Sequence, residues 1–195
     1  QGPPGTGKTY TIAKIVKELI KLGKKVFITA PTHTVINACL NSISKDIPDK
    51  TKIIKIGEKN QADEIIANEY ISRKTRLSYS SYQYSDFSKS GVVVGATPYA
   101  LCYPASKKLQ GWSFDYIIID EAAQMSIPLA LAALIHGVKY IFVVDHKQLD
   151  PIIPTATGNW LFSKSVFKHL VDNYPDNITM LDKSYRLSRE LVRIP

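Results

Sequence analysis

Cysteine is nearly absent from this chain. The two present, Cys39 and Cys102, sit in apolar surroundings without the spacing of a metal site. That pattern excludes a disulfide-stapled scaffold and a zinc module, and two reduced thiols in an intracellular protein are expected. Histidine is equally sparse: His33, His136, His146 and His169 are scattered and form no zinc pattern. No apolar run is long enough to span a membrane, and the stretch from Ile127 to Ile135 is interrupted by Pro128. Acidic residues are in deficit, 17 against 25 Lys and Arg, which leaves a net charge of +8. A basic excess suits a polyanionic partner, although six lysines fall within residues 8–25, where an amphipathic helix also needs a solvated face. Neither an internal repeat nor a heptad pattern is visible. Neither an initiator Met nor a signal peptide opens the sequence, and Gln1 alone precedes the first motif. The chain is therefore expected to be part of a longer protein.

What is present is a phosphate loop. Residues 2–9 read Gly-Pro-Pro-Gly-Thr-Gly-Lys-Thr, the full G-x-x-x-x-G-K-[ST] pattern. Gly2, Gly5 and Gly7 let the backbone curl so that successive N–H groups face a polyphosphate, with Pro3, Pro4 and Thr6 between them. Lys8 supplies a point charge for the β- and γ-phosphates, and Thr9 offers a hydroxyl to Mg²⁺. The spacing Ile12, Ile15, Val16, Leu19, Ile20 predicts a helix that opens at the loop and ends at Gly23. Its positive end adds to the anion site. ATP and Mg²⁺ are the expected ligands.

At 195 residues and 45% hydrophobic content the chain suits one domain with a real core. Strands are predicted at Lys25–Thr29, Lys52–Ile56, Val92–Gly95, Tyr116–Asp120, Tyr140–Val144 and Ile178–Leu181. Helices are predicted at Lys8–Leu22, Thr34–Lys45, Gln124–Ile135, Lys164–Tyr174 and from about Ser188. Apolar strands alternating with helices mean an α/β fold, a mostly parallel sheet covered on both faces, with ligands beyond the carboxyl ends of the strands. Residues 57–90 break the pattern. A short helical stretch through Ala62, Ile65, Ile66 and Tyr70 gives way to Ser- and Tyr-rich sequence with five acidic and five basic residues. This is expected to be an insertion at the sheet's edge.

A second motif gives the loop its chemistry. Tyr116 to Asp120 is an apolar strand closing on two carboxylates, Asp120 and Glu121. Phosphoryl transfer to water needs one carboxylate for hydrated Mg²⁺ and another to orient and deprotonate the water. Adjacent residues at a strand's end point different ways. Asp120 can then face the metal, with Thr9, while Glu121 faces the γ-phosphate.

The set resembles the first motor domain of superfamily 1 helicases, in the branch that includes the nonsense-mediated-decay helicase and senataxin. Gly2–Thr9 is similar to motif I, residues 30–34 to motif Ia, and Val94-Gly95-Ala96-Thr97 to motif Ib. Asp120-Glu121-Ala122-Ala123-Gln124 is similar to a DEAA-type motif II, residues 145–151 to motif III, and residues 181–187 to the family's Q-Y-R-M motif, with Ser184 where Gln is usual. The resemblance implies a RecA-like P-loop fold and an ATP hydrolase acting on single-stranded DNA or RNA. It implies that Pro31, Thr32, His33 and Thr97 touch the strand, that Gln148 senses the γ-phosphate and that Arg186 acts as an arginine finger. It also implies that Tyr185 stacks near the base, and that a second motor domain closes the site. From the residues alone, Thr32 or Thr34 reads equally as a helix N-cap.

Two other readings stay open on sequence. One is a P-loop ATPase switch that regulates a protein or nucleic-acid complex without unwinding; the other is a non-enzymatic nucleic-acid-binding fragment. A GTPase would want Asn-Lys-x-Asp, an ABC ATPase Leu-Ser-Gly-Gly-Gln, and a superfamily 2 helicase Ser-Ala-Thr after motif II. None of these occurs.

Overall fold

A computed structural model describes residues 1–49, 52–57, 70–72, 91–99, 113–145 and 165–185. Helix α1 spans Lys8–Lys21 and starts from Gly7, whose φ of 81° is left-handed. It buries Ile12, Ala13, Val16 and Ile20, one helical stripe. It stops at Gly23, also left-handed at φ 71°. There Lys24 N–H donates to Leu19 O at 2.9 Å and Gly23 N–H to Ile20 O at 3.0 Å, the paired bonds of a Schellman cap.

Strand β1 (Lys25–Thr29) follows directly and runs through the middle of the sheet. Helix α2 (His33–Asp46) leads to β2 (Ile53–Gly57), and β3 (Tyr70–Ser72), β4 (Val92–Gly95) and β5 (Phe114–Ile119) complete most of the sheet. A 3-10 turn at Ala122–Gln124, helix α3 (Ile127–Leu134), strand β6 (Gly137–Phe142) and helix α4 (Val166–Asn173) come last, before a short 3-10 turn at Pro175–Asn177. The six strands lie in the order β3-β2-β4-β1-β5-β6. Every pairing is parallel. After β1 the chain builds one flank of the sheet, then crosses to build the other with β5 and β6. The order therefore reverses at β1, where open parallel sheets bind ligands.

Alternating strand residues feed two cores. Val26, Ile28, Val93 and Ile118 face α1 and α2, against Val16, Ile36, Leu40 and Ile43. Phe27, Val92, Val94, Ile117 and Ile119 face the other way, onto Ala130, Ala133 and Val166. Both faces are covered, as the sequence predicts.

Several expectations need correction. The helix predicted at Gln124–Ile135 is a 3-10 turn followed by a shorter helix from Ile127, because Ser126 leaves helical geometry to bridge Ser165. Strand β5 ends at Ile119, which puts Asp120 just past it in the turn. Strand β6 begins at Gly137 rather than Tyr140, and its exposed Val138 and Tyr140 break the buried, apolar pattern used to find it. Ile178–Leu181 is not a strand. Among the described residues it bonds through its backbone to Gln1, Leu181 N–H donating to Gln1 O at 2.7 Å and Gln1 donating to Thr179 O. Within 57–90, Tyr70 lies not on a helix but in β3, which adds an edge strand to β2. The helix expected near Ser188 lies outside the described residues.

Candidate nucleotide site and nucleic-acid interface

The phosphate loop hangs between strand ends. Gly2 N–H donates to Val144 O at 3.0 Å, just past β6, which fixes where the loop begins. A Cβ on Gly2 would lie 2.5 Å from Thr6 Oγ1 and 2.9 Å from Leu181 O, so only glycine lets the loop close there. Gly5 and Gly7 take left-handed φ values of 80° and 81°. Thr6 Oγ1 donates to Pro3 O at 2.8 Å, and Lys8 Nζ donates to Gly2 O at 2.7 Å and Pro3 O at 3.0 Å. The amine is thus held over the loop by weak neutral acceptors that a phosphate oxygen outcompetes. From the far end of the chain, Tyr185 N–H donates to Gly5 O at 2.8 Å, although the Tyr185 side chain is 80% exposed.

The carboxylates come from the neighbouring strands. Asp120 N–H donates to Thr29 O at 2.9 Å, and Ala122 N–H to Val143 O at 3.0 Å, so the turn after β5 is bolted to both neighbours. Within it Glu121 adopts φ 53°, ψ 43°, a left-handed conformation and, among the described residues, the one non-glycine with positive φ. A glutamate held there is strained by about 1–3 kcal/mol and its side chain is sent a different way from Asp120. Asp120 is 5% exposed. Burial is the main reason its carboxyl is pushed up to about 6; the nearby Glu121 charge adds to the rise, while the Glu121 N–H, donating at 3.0 Å, and Lys8 oppose it.

One cavity of about 590 Å³ collects these groups. Its walls include Pro4, Gly5, Gly7, Lys8, Thr9, Asp120, Glu121 and Tyr185. Gly2, Pro3 and Thr6 do not line it. The cavity also takes in Thr34, from the motif Ia stretch, and Asp145, which opens the motif III stretch and is 2% exposed, together with residues not singled out from the sequence: Tyr10 on α1 and Val35 and Ala38 on α2. Asp145 stands three residues past β6, and Asp120 one residue past β5. Gln148 and Arg186 lie outside the described residues.

The expected strand contacts sit at the same edge of the sheet. Thr32 is exposed and caps α2, its Oγ1 accepting from Val35 N–H at 3.4 Å. Pro31 and His33 are half-buried. Thr97 is buried, at 4% exposed.

A fully parallel sheet with helices on both faces, a phosphate loop at its carboxyl edge and paired carboxylates across from it define a P-loop NTPase. The AAA domain family matches residues 1–93 and 89–156, and the chain belongs to that family. The chain is 32% identical over 194 residues to the DNA replication ATP-dependent helicase/nuclease DNA2 of Saccharomyces cerevisiae, covering 99% of this chain and 12% of the yeast protein. It is 24% identical to the uncharacterized ATP-dependent helicase MJ0104 of Methanocaldococcus jannaschii, covering 100% of this chain and 40% of that protein. The fold matches a nuclease-deletion mutant of the restriction-modification enzyme LlaGI, solved with a DNA substrate mimic. The TM-score is 0.55 at 18% identity, over 94% of this chain and 17% of that one. The chain is homologous to ATP-dependent helicases, while spanning 12% of the yeast protein's length and 40% of the Methanocaldococcus jannaschii protein's. Among the described residues no helix is long and apolar enough to cross a membrane.

Proposed function

We propose that this chain is the ATP-hydrolysing motor domain of an intracellular helicase or translocase that acts on single-stranded DNA or RNA. The observation that carries the reading is the single cavity in which Lys8, Thr9, Asp120 and Glu121 meet at the reversal point of the sheet. Backbone N–H groups of the loop and the start of α1 bind the polyphosphate, with Gly2, Pro3, Pro4, Gly5, Thr6 and Gly7 shaping it. Lys8 exchanges its carbonyl partners for phosphate oxygens. Glu121 orients the attacking water and accepts its proton, and the left-handed backbone at that residue holds the carboxylate for that task.

The oxygen donors present, a threonine hydroxyl and a buried carboxylate, suit a small hard cation, so Thr9 and Asp120 would hold Mg²⁺. When bound, that ion neutralises charge building on the phosphate oxygens. Gln148 as γ-phosphate sensor, Arg186 as the transition-state cation, and Tyr185 beside the base complete the site in this reading. Pro31, Thr32, His33 and Thr97 carry the strand contact. A second motor domain of the same protein supplies the other wall of the ATP site.

Steady-state ATPase assays with and without single strands test the proposal. Lys8→Ala should abolish turnover in the strand-stimulated protein; unchanged turnover would sink the assignment. Residues 1–195 alone should hydrolyse ATP very slowly, because Arg186 and the rest of the site then act without the wall that the second motor domain supplies.

A further inference from the structure

Beside the phosphate loop the nucleotide cavity meets a second one, of about 680 Å³, a size that suits a small-molecule ligand. The two cavities share Gly7, Tyr10 and Tyr185 as walls. Lys8, Thr9, Asp120 and Glu121 line the first and not the second, which is lined instead by Thr6, Thr11 and residues 180–183. The groups suited to act on a γ-phosphate therefore sit in one cavity. Room for the nucleoside end of the same ligand lies in the other, past Gly7 and the first turn of α1.

The polar side chains of this second cavity are poorly placed to read a base. Thr6 Oγ1 donates to Pro3 O at 2.8 Å and Thr11 Oγ1 to Gly7 O at 3.0 Å, so both hydroxyl hydrogens are committed. Asp182 and Lys183 are exposed, where water competes for their bonds. What the cavity offers instead is aromatic surface. Tyr10 is 63% exposed and Tyr185 80%. A single exposed tyrosine is ordinary, but two on the rim between a phosphate site and its neighbour make an apolar surface of the kind that marks a ligand.

Tyr10 is also held in place. Lys14, one helical turn further along α1, sets its Nζ over the tyrosine ring, 4.8 Å from the ring centre. That amine is fixed in turn by both oxygens of Asp46, the last residue of α2, at 2.7 and 2.8 Å. The cation takes one face of the ring and leaves the opposite face for a ligand. A ring held this way loses little freedom when a base stacks on it. Across the rim, Tyr185 is anchored by its N–H, which donates to Gly5 O at 2.8 Å.

We propose that Tyr10 stacks on the base of the bound nucleotide and forms, with Tyr185, the nucleoside subsite in the second cavity. The proposal rests on the reading of Gly2–Thr9 as the phosphate site. Stacking favours a purine, whose two rings cover more of the tyrosine face than the one ring of a pyrimidine.

Calorimetric titrations with ADP and with inorganic pyrophosphate, both with Mg²⁺, test this, because pyrophosphate fills the loop and carries no base. Tyr10→Ala is expected to weaken ADP binding about tenfold and leave pyrophosphate binding unchanged. Tyr10→Phe should recover most of that loss, since the ring and not the hydroxyl does the stacking. The alanine variant should also lose more affinity for ADP than for CDP. Lys8→Ala tests the underlying reading and should weaken ADP and pyrophosphate alike. Normal binding of both ligands by Lys8→Ala would overturn the phosphate-site reading and the proposal with it. With that reading intact, ADP binding that Tyr10→Ala spares would overturn the role of Tyr10 alone. So would equal losses for ADP and pyrophosphate, equal losses for ADP and CDP, or a loss that Tyr10→Phe does not recover.

Discussion

Replacing Asp120 with Asn should make the protein more stable and less functional at the same time. The carboxyl is 5% exposed and is raised, chiefly by burial, from 3.8 to about 6. At about 1.36 kcal/mol per pH unit, keeping it ionised at neutral pH costs folding about 3 kcal/mol. Asparagine removes that charge and still accepts from the Glu121 N–H, but its amide hydrogens need partners, which returns about 1–2 kcal/mol of the gain. The expected net is about 1–2 kcal/mol at about pH 8, or roughly 3–6 °C in Tm for a domain this size. The sign follows from the raised value: the acid's contribution to stability is complete below 3.8 and is lost as pH climbs through about 6. The advantage of Asp120→Asn should therefore shrink as the pH falls from 8, cross zero near about pH 5 and become a deficit of about 1 kcal/mol by about pH 4. Urea unfolding of both proteins without nucleotide, at several pH values, measures this. A variant less stable than wild type at pH 8, or a gain that does not depend on pH, would refute the claim that a buried charge is being held against its solvation.

The same carboxyl should tie nucleotide binding to pH: the Mg²⁺-dependent part of ATP affinity should fall below about pH 6, as Asp120 takes up a proton, and titration calorimetry with and without Mg²⁺ reads it directly. Glu121→Gln keeps the shape and loses the base, so turnover should drop at least ~10²-fold with ATP binding nearly unchanged; normal turnover would mean another group activates the water. Glu121→Gly should relieve the left-handed backbone at φ 53° and leave the fold intact while removing turnover, which separates strain from chemistry in one comparison of unfolding and ATPase data. Gly91→Ala should lower stability by at least about 1 kcal/mol, seen as a lower urea midpoint at constant slope, because φ is 69° and the new Cβ would lie 2.5 Å from Ile20 O.

The parts of the fold visible in the sequence are those whose cause is local. Helix α1 follows from a stripe of apolar residues and a glycine stop, and it matches to within one residue of the predicted end. Strands β1 and β4 are buried on both faces, read as continuous apolar runs, and match at both ends. Misreadings cluster where a partner elsewhere decides the outcome. Ser126 pairs with Ser165, 39 positions later, and this shortens α3 in a way no window around residue 126 contains. Strand β6 lies at one side of the sheet, so its first residues are exposed and lack the apolar signature. Tyr70–Ser72 pairs with β2, and polar sequence does not announce an edge strand.

The candidate site divides along the same line. A phosphate loop is legible because its function is a backbone shape, and the residues that permit that shape are contiguous. The Asp120–Glu121 pair is legible because a strand end and two carboxylates are adjacent in the chain. Tyr10, Val35 and Ala38 join the cavity only through the packing of α2 on α1 beside the loop. Lys55 is the extreme case. In the sequence it is one of 25 basic residues, set in an alternation with isoleucines that places it on a buried face, where a lysine reads as an error of register. Its surroundings depend on three remote facts. Gly95 stands beside it without a side chain, α2 descends into that space, and the first residue of α2 is a histidine with a ring nitrogen 3.0 Å away.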